Sequence, residues 1–184
     1  MKVNSFADVI GPLVVGTLAL IAIVAGYAYA GFSVAVNDLA AYISWSYELP
    51  VHASYESHMP ALPVLIAFFR TVTGGLISDA AIAQLVNYVS WVVSILIANE
   101  LFKIYSPQLR SIGNYAIALA PLVGVTYVAF PTTECIARMF LFAALLLANR
   151  RQWPQFAAVV ACGLMVHQAY YPIYFLLALA CVLT

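Results

Sequence analysis

Long apolar runs with almost no charged residues inside them constrain this chain more than any other feature. The runs cover 10–32, 80–102, 112–130, 135–148 and 154–184. A helix needs roughly 20 apolar residues to cross the hydrocarbon core of a bilayer. Only 8% of the residues are charged, against about 25% in soluble domains. We therefore predict an all-α fold, a polytopic integral membrane helix bundle with about five to six transmembrane segments, forming a single domain over 1–184.

The first run shares features with a secretory signal peptide. Lys2 precedes it, and the small-residue triplet Ala28-Tyr29-Ala30 lies near its end. The apolar residues continue to Phe32, however, which makes the run long enough to span a bilayer. We expect a retained first helix.

The segment between the first two runs, about 33–79, has a different character. Its first half holds acids and histidines but no Lys or Arg, and its second half, 60–72, is apolar yet only about 13 residues long. A run that short is typical of an interfacial or re-entrant helix. We expect an external loop that contains an interfacial helix.

The positive residues predict an orientation. They cluster at Lys2, at Lys103 with Arg110, and at Arg150 with Arg151, and positive residues favour the cytoplasmic side. All three clusters fall inside only if 60–72 does not cross, and Arg70 then reaches toward lipid headgroups. The expected location is the inner or plasma membrane, multi-pass, with a cytoplasmic N-terminus and the bilayer as partner. The net charge is zero, so no basic field indicates nucleic acid.

The last run, 154–184, is interrupted by His167-Gln168 and by Tyr170-Tyr171-Pro172. We expect a helix that breaks and restarts, with its break on the outer side beside Asp38 and Glu134. The chain ends inside an apolar run, from which we expect the front part of a longer fold.

Two acids stand at the expected outer ends of helices. Asp38 follows the first run, where a carboxylate can act as a base, bind a cation or simply cap the next helix. Glu134 and Arg138 lie one turn apart, a spacing at which they can pair. Alternatively, the Arg138 guanidinium holds a phosphate oxygen.

Other polar residues remain open between a chemical and a structural role. His52, Glu56 and His58 are candidate metal ligands, but their spacing matches no established metal motif and equally fits a solvated loop. His167 and Gln168 either line a cavity or form a polar turn that faces water. The three cysteines lie in apolar runs, so we expect core thiols.

The order of these features resembles the N-terminal half of the membrane-embedded GT-C glycosyltransferases, such as protein mannosyltransferases and aminoarabinose transferases. The matching residues are Asn37-Asp38 with Tyr42, His58-Met59-Pro60, Phe68-Phe69-Arg70, Pro131-Thr132-Thr133-Glu134 and His167-Gln168. In that family a catalytic acid in the first external loop precedes a tyrosine, and a second acid opens the fourth helix. Asp38, Tyr42 and Glu134 stand at those positions.

The resemblance implies sugar transfer from a polyprenyl-phosphate donor at the outer face. Asp38 would act as general base, and Glu134 would orient Asp38 or share a divalent metal ion with it; the cofactor is otherwise unknown. Arg138 and Arg70 would neutralise the lipid-phosphate leaving group. The implied substrate-binding set is Arg138, Arg70, Tyr42, His58, His167 and Gln168.

A second hypothesis belongs to another class: a non-catalytic accessory subunit that packs against a larger membrane complex. Many small residues suit helix–helix packing. A catalytic chain requires an open cavity lined by Asp38, Glu134 and Arg138, whereas a packing subunit pairs those charges with each other or with other membrane subunits. A transporter fragment would need symmetric broken helices, and the sequence shows only one break.

Overall fold

The computed structural model describes residues 7–29, 37–48, 60–123, 133–167 and 170–183. Within those ranges the chain is all-α, which confirms the predicted class. The helices are α1 (Ala7–Tyr29), α2 (Asn37–Glu48), α3 (Ala61–Val72), α4 (Asp79–Tyr105), α5 (Arg110–Val123), α6 (Glu134–Asn149), α7 (Trp153–Leu164) and α8 (Tyr171–Leu183), with a 3-10 turn over Pro107–Leu109.

The central helix, α4, has clear start and stop signals. The Ser78 side chain accepts a hydrogen bond from the Ala81 N–H at 3.3 Å, as an N-cap does. Asp79 lies in the first turn and Lys103 in the last turn, where each charge complements the helix dipole.

Only α4, among the described residues, is long and apolar enough to cross a membrane. Four shorter apolar helices or helix parts cover Ala7–Ala22, Ala61–Val72, Trp153–Leu164 and Tyr171–Ala180. The prediction of five to six transmembrane segments is therefore not supported by the described helices.

Helices α4 and α6 run in the same direction. Ile82 and Ala83 at the start of α4 share a buried cluster with Ile136 and Ala137 at the start of α6. At the other end of the two helices, the Tyr105 hydroxyl donates to the Asn149 side-chain oxygen at 3.0 Å. The charge-based topology predicted this parallel arrangement.

Polar contacts join the start of α1 to the end of α4 and the start of α5. The buried Asn114 side chain donates to the Asp8 carbonyl and to the Asn99 side-chain oxygen, both at 2.9 Å. Asp8 also forms an ion pair with Arg110. Helix α1 is thus antiparallel to α4 and parallel to α5.

Helix α7 returns beside α6, and α8 begins where α7 ends. Phe156 of α7, Ala144 of α6 and Tyr174 of α8 form one buried cluster. The Ala61 N–H donates to the Met165 carbonyl at 3.2 Å, which places the end of α7 at the start of α3. The predicted break in the last run is confirmed.

The helix directions give the molecule two ends of different charge. The basic end holds Lys103, Arg110, Arg150 and Arg151, with Asp8 and Glu100 paired to two of them. The acidic end holds Asp79, Glu134 and His167, together with Arg70. Helix α3 contacts the acidic end at both its termini, so it lies across that end as its short length predicts.

Candidate functional site

Four helices, α2, α3, α4 and α6, meet at the acidic end together with the residues that follow α7. The core there is a buried cluster that includes Tyr42 of α2, Ile136 and Ala137 of α6, and Val166 just after α7. Tyr42 is only 2% exposed and packs edge-on against Trp45. Its position is that of a packing residue, and its predicted contact with substrate stays a prediction.

Asp38 lies in the first turn of α2, one turn before Tyr42. Residues four apart share one face of a helix, so the backbone puts Asp38 on the face of α2 that carries Tyr42. The Asp38 side chain itself lies outside what the structure describes. Its distance from the Glu134 carboxylate therefore stays a prediction.

Glu134 opens α6 directly after the buried Thr133. A carboxylate at a helix N-terminus is stabilised by the positive end of the helix dipole. One carboxylate oxygen, Oε1, lies 3.8 Å from Nε2 of His167. The other, Oε2, is buried and has no hydrogen-bond partner among the described residues. The carboxylate can accept a proton or a hydrogen bond from a group that enters this end of the bundle.

The expected partner of Glu134 is different in the structure. Arg138 is half-buried on the same helix, but no ion pair joins it to Glu134 within the described part of the chain. The structure pairs Glu134 with His167 because the end of α7 approaches the first turn of α6. The structure thus does not show the Glu134–Arg138 pair, one of the two alternatives for these residues, and the role of Arg138 in phosphate binding stays a prediction.

Arg70 contacts the neighbouring helices, and its predicted approach to lipid headgroups stays a prediction. Its Nη1 lies 3.0 Å from the Asp79 carboxylate and donates to the Ser46 hydroxyl at 3.1 Å. Its Nη2 donates to the Ser46 carbonyl at 2.8 Å, and the guanidinium stacks 3.6 Å from the Tyr47 ring centre. These contacts organise the corner between α2, α3 and α4.

Asp79 and Ser46 are residues that the sequence analysis missed. Asp79 follows Arg70 by nine residues across a turn in which Gly74 and Gly75 adopt positive φ angles of 60° and 78°. Such a glycine turn reverses the chain, and this signal could have identified the ion pair.

No group of three or more metal-ligating side chains exists within the described ranges. The weak metal candidates His52, Glu56 and His58, and also Gln168, lie outside those ranges. Of the cysteines, Cys135 is buried as expected but Cys162 is exposed. The side chain of Cys181 is not among those described.

An apolar cavity of about 250 Å³ lies between α3, α4 and α6, close to this site. Its lining is almost entirely hydrocarbon and includes Leu65, Phe69, Ile82, Val86 and Met139. Helix α3 therefore forms one wall of an apolar cavity.

Comparison of the chain with protein-family models, with curated proteins and with solved structures found no match.

Proposed function

We propose that this chain is a multi-pass membrane protein that carries the acid-bearing site of a GT-C-type glycosyltransferase. The observation that carries the proposal is the Glu134 carboxylate. It sits at a helix N-terminus beside His167, with one buried oxygen unpartnered among the described residues. Helix α2, which begins at Asn37 and carries Asp38 in its first turn, packs against the same end.

The membrane placement rests on the surface of the bundle. Large apolar side chains are more than half exposed on several helices, including Leu18, Ile21, Ile112, Phe175 and Leu176. A soluble monomer rarely exposes apolar area on every side, whereas lipid accepts it. In addition, only 39% of the apolar window in α4 is buried, and the core helix of a soluble protein would be buried over most of its length.

The proposed chemistry is displacement at the anomeric carbon of a lipid-linked sugar. The acceptor oxygen forms a bond to that carbon while the bond between the carbon and the phosphate oxygen breaks. The acceptor proton passes to the Asp38 carboxylate, and the polyprenyl phosphate leaves with the electron pair. Glu134 orients Asp38, and His167 fixes the position of Glu134 through their contact.

Arg138 is the better candidate for the leaving phosphate. The charge of Arg70 is already compensated by Asp79 at 3.0 Å. Arg138 lies one turn after Glu134 on α6 and has no ion pair within the described ranges. A guanidinium presents paired donors that match phosphate oxygens.

The test is sugar transfer in proteoliposomes that contain the full-length protein and a radiolabelled polyprenyl-phosphate sugar. We expect Glu134→Gln and Asp38→Asn each to lower the rate by roughly 10²–10⁴-fold, the range typical of a positioned acid or base. Glu100→Gln, at the opposite end of the bundle, is the matched control and should leave the rate unchanged. Unchanged transfer in both acid variants would contradict the proposal.

A specific observation favours the accessory-subunit alternative. Asp8, Asp79, Glu100 and Glu134 each lie beside a basic or histidine side chain of the same chain. A subunit that packs inside a membrane complex needs its acidic side chains to be neutralised by partners such as these. This alternative predicts that the protein co-purifies with a larger membrane complex and that the acid variants alter assembly without altering sugar transfer.

A further inference from the structure

A second apolar groove lies at the basic end, far from the site described above. It has a volume of about 360 Å³ and runs between α4, α5 and α6. Its walls include Leu101, Phe102, Ile117, Phe142 and Leu145. The volume falls within the range of small-molecule sites, about 300–1,000 Å³, and an almost wholly apolar lining selects a hydrocarbon ligand.

The groove has a polar rim on one side. Tyr105 and Ser106 line it, and the Tyr105 hydroxyl donates to the Asn149 side chain at 3.0 Å. Asn149 follows the groove residue Leu145 by four positions and so shares its helix face. The end of α6 therefore forms the edge of the groove.

Two arginines follow Asn149 immediately. Arg150 and Arg151 are both exposed, and the backbone holds them in a tight turn through bonds from their N–H groups to Leu146 and Ala148. No ion pair to either arginine exists within the described ranges, whereas Lys103 and Arg110 at the same end are paired with acids. Among the described basic residues of this end, only Arg150 and Arg151 thus have no acidic partner, and they directly follow the residue at the edge of the groove.

We propose that this groove is a binding site for an anionic phospholipid. One acyl chain lies in the groove between α4 and α6, and the phosphate accepts hydrogen bonds from the Arg150 and Arg151 guanidinium groups. Basic residues beside an apolar surface between helices provide the charge and the hydrocarbon contact that such a lipid requires. The inference rests on the membrane placement in the proposed function but not on sugar transfer.

The test is lipid titration of the full chain in mild detergent, read by native mass spectrometry. Phosphatidylglycerol and phosphatidylcholine with identical acyl chains are the probes. We expect clear preference for phosphatidylglycerol. Each basic residue near an anionic headgroup changes affinity about fivefold, so Arg150→Gln with Arg151→Gln should weaken phosphatidylglycerol binding by roughly 25-fold. The paired Lys103→Gln is the control and should change it less than about twofold.

A variant that fills the groove distinguishes lipid binding from the binding of a free phosphate. Leu145→Trp should weaken the binding of both lipids, and Ser106→Trp serves the same purpose if the first variant does not fold. Glycerol 3-phosphate, a headgroup without chains, should not compete. Competition by glycerol 3-phosphate at the concentration of the lipid, with full lipid binding in the groove variants, would show a simple anion site and overturn the proposal.

Two further results test the proposed lipid site. Equal binding of the two lipids by the unmodified protein, or unchanged selectivity in the arginine variant, would also overturn the lipid site. Glu134→Gln should lose sugar transfer and keep lipid selectivity, so failure of either proposal is recognised without the other.

Discussion

Arg70 joins three helices through a single guanidinium group. Its partners are the Asp79 carboxylate, the Ser46 hydroxyl and carbonyl, and the face of the Tyr47 ring. The side chains of Arg70 and Asp79 are 20% and 10% exposed, so the ion pair is largely shielded from water. Removing Arg70 would leave Asp79 with an uncompensated, largely buried charge.

Arg70→Ala should therefore destabilise the protein by about 2 kcal/mol, since hydrogen bonds to charged groups contribute about that much. Arg70→Lys keeps the charge but loses the forked geometry, and we expect a smaller loss of about 1 kcal/mol. The measurement is thermal unfolding in detergent. The exposed Arg150→Ala should stay within about 0.5 kcal/mol of the parent, and an equal effect of Arg70→Ala and Arg150→Ala would refute the structural role of Arg70.

At the residue scale, the partners of individual charged side chains were the feature that the sequence predicted least well. Glu134 and Arg138 have a spacing that permits a pair within α6, yet Glu134 lies beside His167, 33 positions later in the chain. That contact depends on how α7 packs against α6, which local spacing does not encode. The types of residue at the site were predictable, but their partners were not.

At the element scale, the apolar runs of the sequence predicted the positions of most helices. The run 80–102 corresponds to α4 (Asp79–Tyr105), and 135–148 corresponds to α6 (Glu134–Asn149). Asp38 was weighed as a cap for the next segment, and α2 begins at Asn37 with Asp38 inside its first turn. The third run, 112–130, corresponds to α5 (Arg110–Val123) up to Val123, and its remainder lies outside the described residues.

Close approach of α7 and α8 depends on Gly163. A Cβ atom at this buried position would overlap the Tyr174 hydroxyl and lie 2.6 Å from the ring carbon that bears it. Tyr174 is itself buried in the cluster with Ala144 and Phe156. The tyrosine ring therefore has little room to move away.

Gly163→Ala should lower stability by about 1–3 kcal/mol, the typical cost of overpacking a core. Adding Tyr174→Phe removes the closest atom and should restore part of the loss. Thermal unfolding of the two single variants and the double variant measures the coupling. The exposed Ala157→Val on the same helix is the control; strictly additive effects at Gly163 and Tyr174 would argue against their close packing.

At the scale of the whole molecule, the charge pattern predicted the relative directions of the helices better than the number of apolar runs predicted the number of membrane-crossing segments. Placing the positive clusters on one side required α4 and α6 to run parallel, and the structure shows that arrangement. It also required 60–72 not to cross the membrane, which stays a prediction. The expected number of membrane-crossing segments is not supported, since only α4 meets the length and apolarity required in the described ranges. The length of an apolar run does not by itself fix where a helix ends, because the terminal backbone groups also need capping partners.

The central claim is that the acidic end faces the outer side of the membrane and the basic end faces the cytoplasm. The most direct test is labelling of single cysteines, in a background without native cysteines, by a membrane-impermeant maleimide on right-side-out vesicles. Leu76→Cys marks the acidic end, at a side chain that is 91% exposed, and Gln152→Cys marks the basic end at an exposed turn. We expect Leu76→Cys to react in intact vesicles and Gln152→Cys to react only after lysis. Reaction of both from the same side, or the reverse pattern, would contradict the claim.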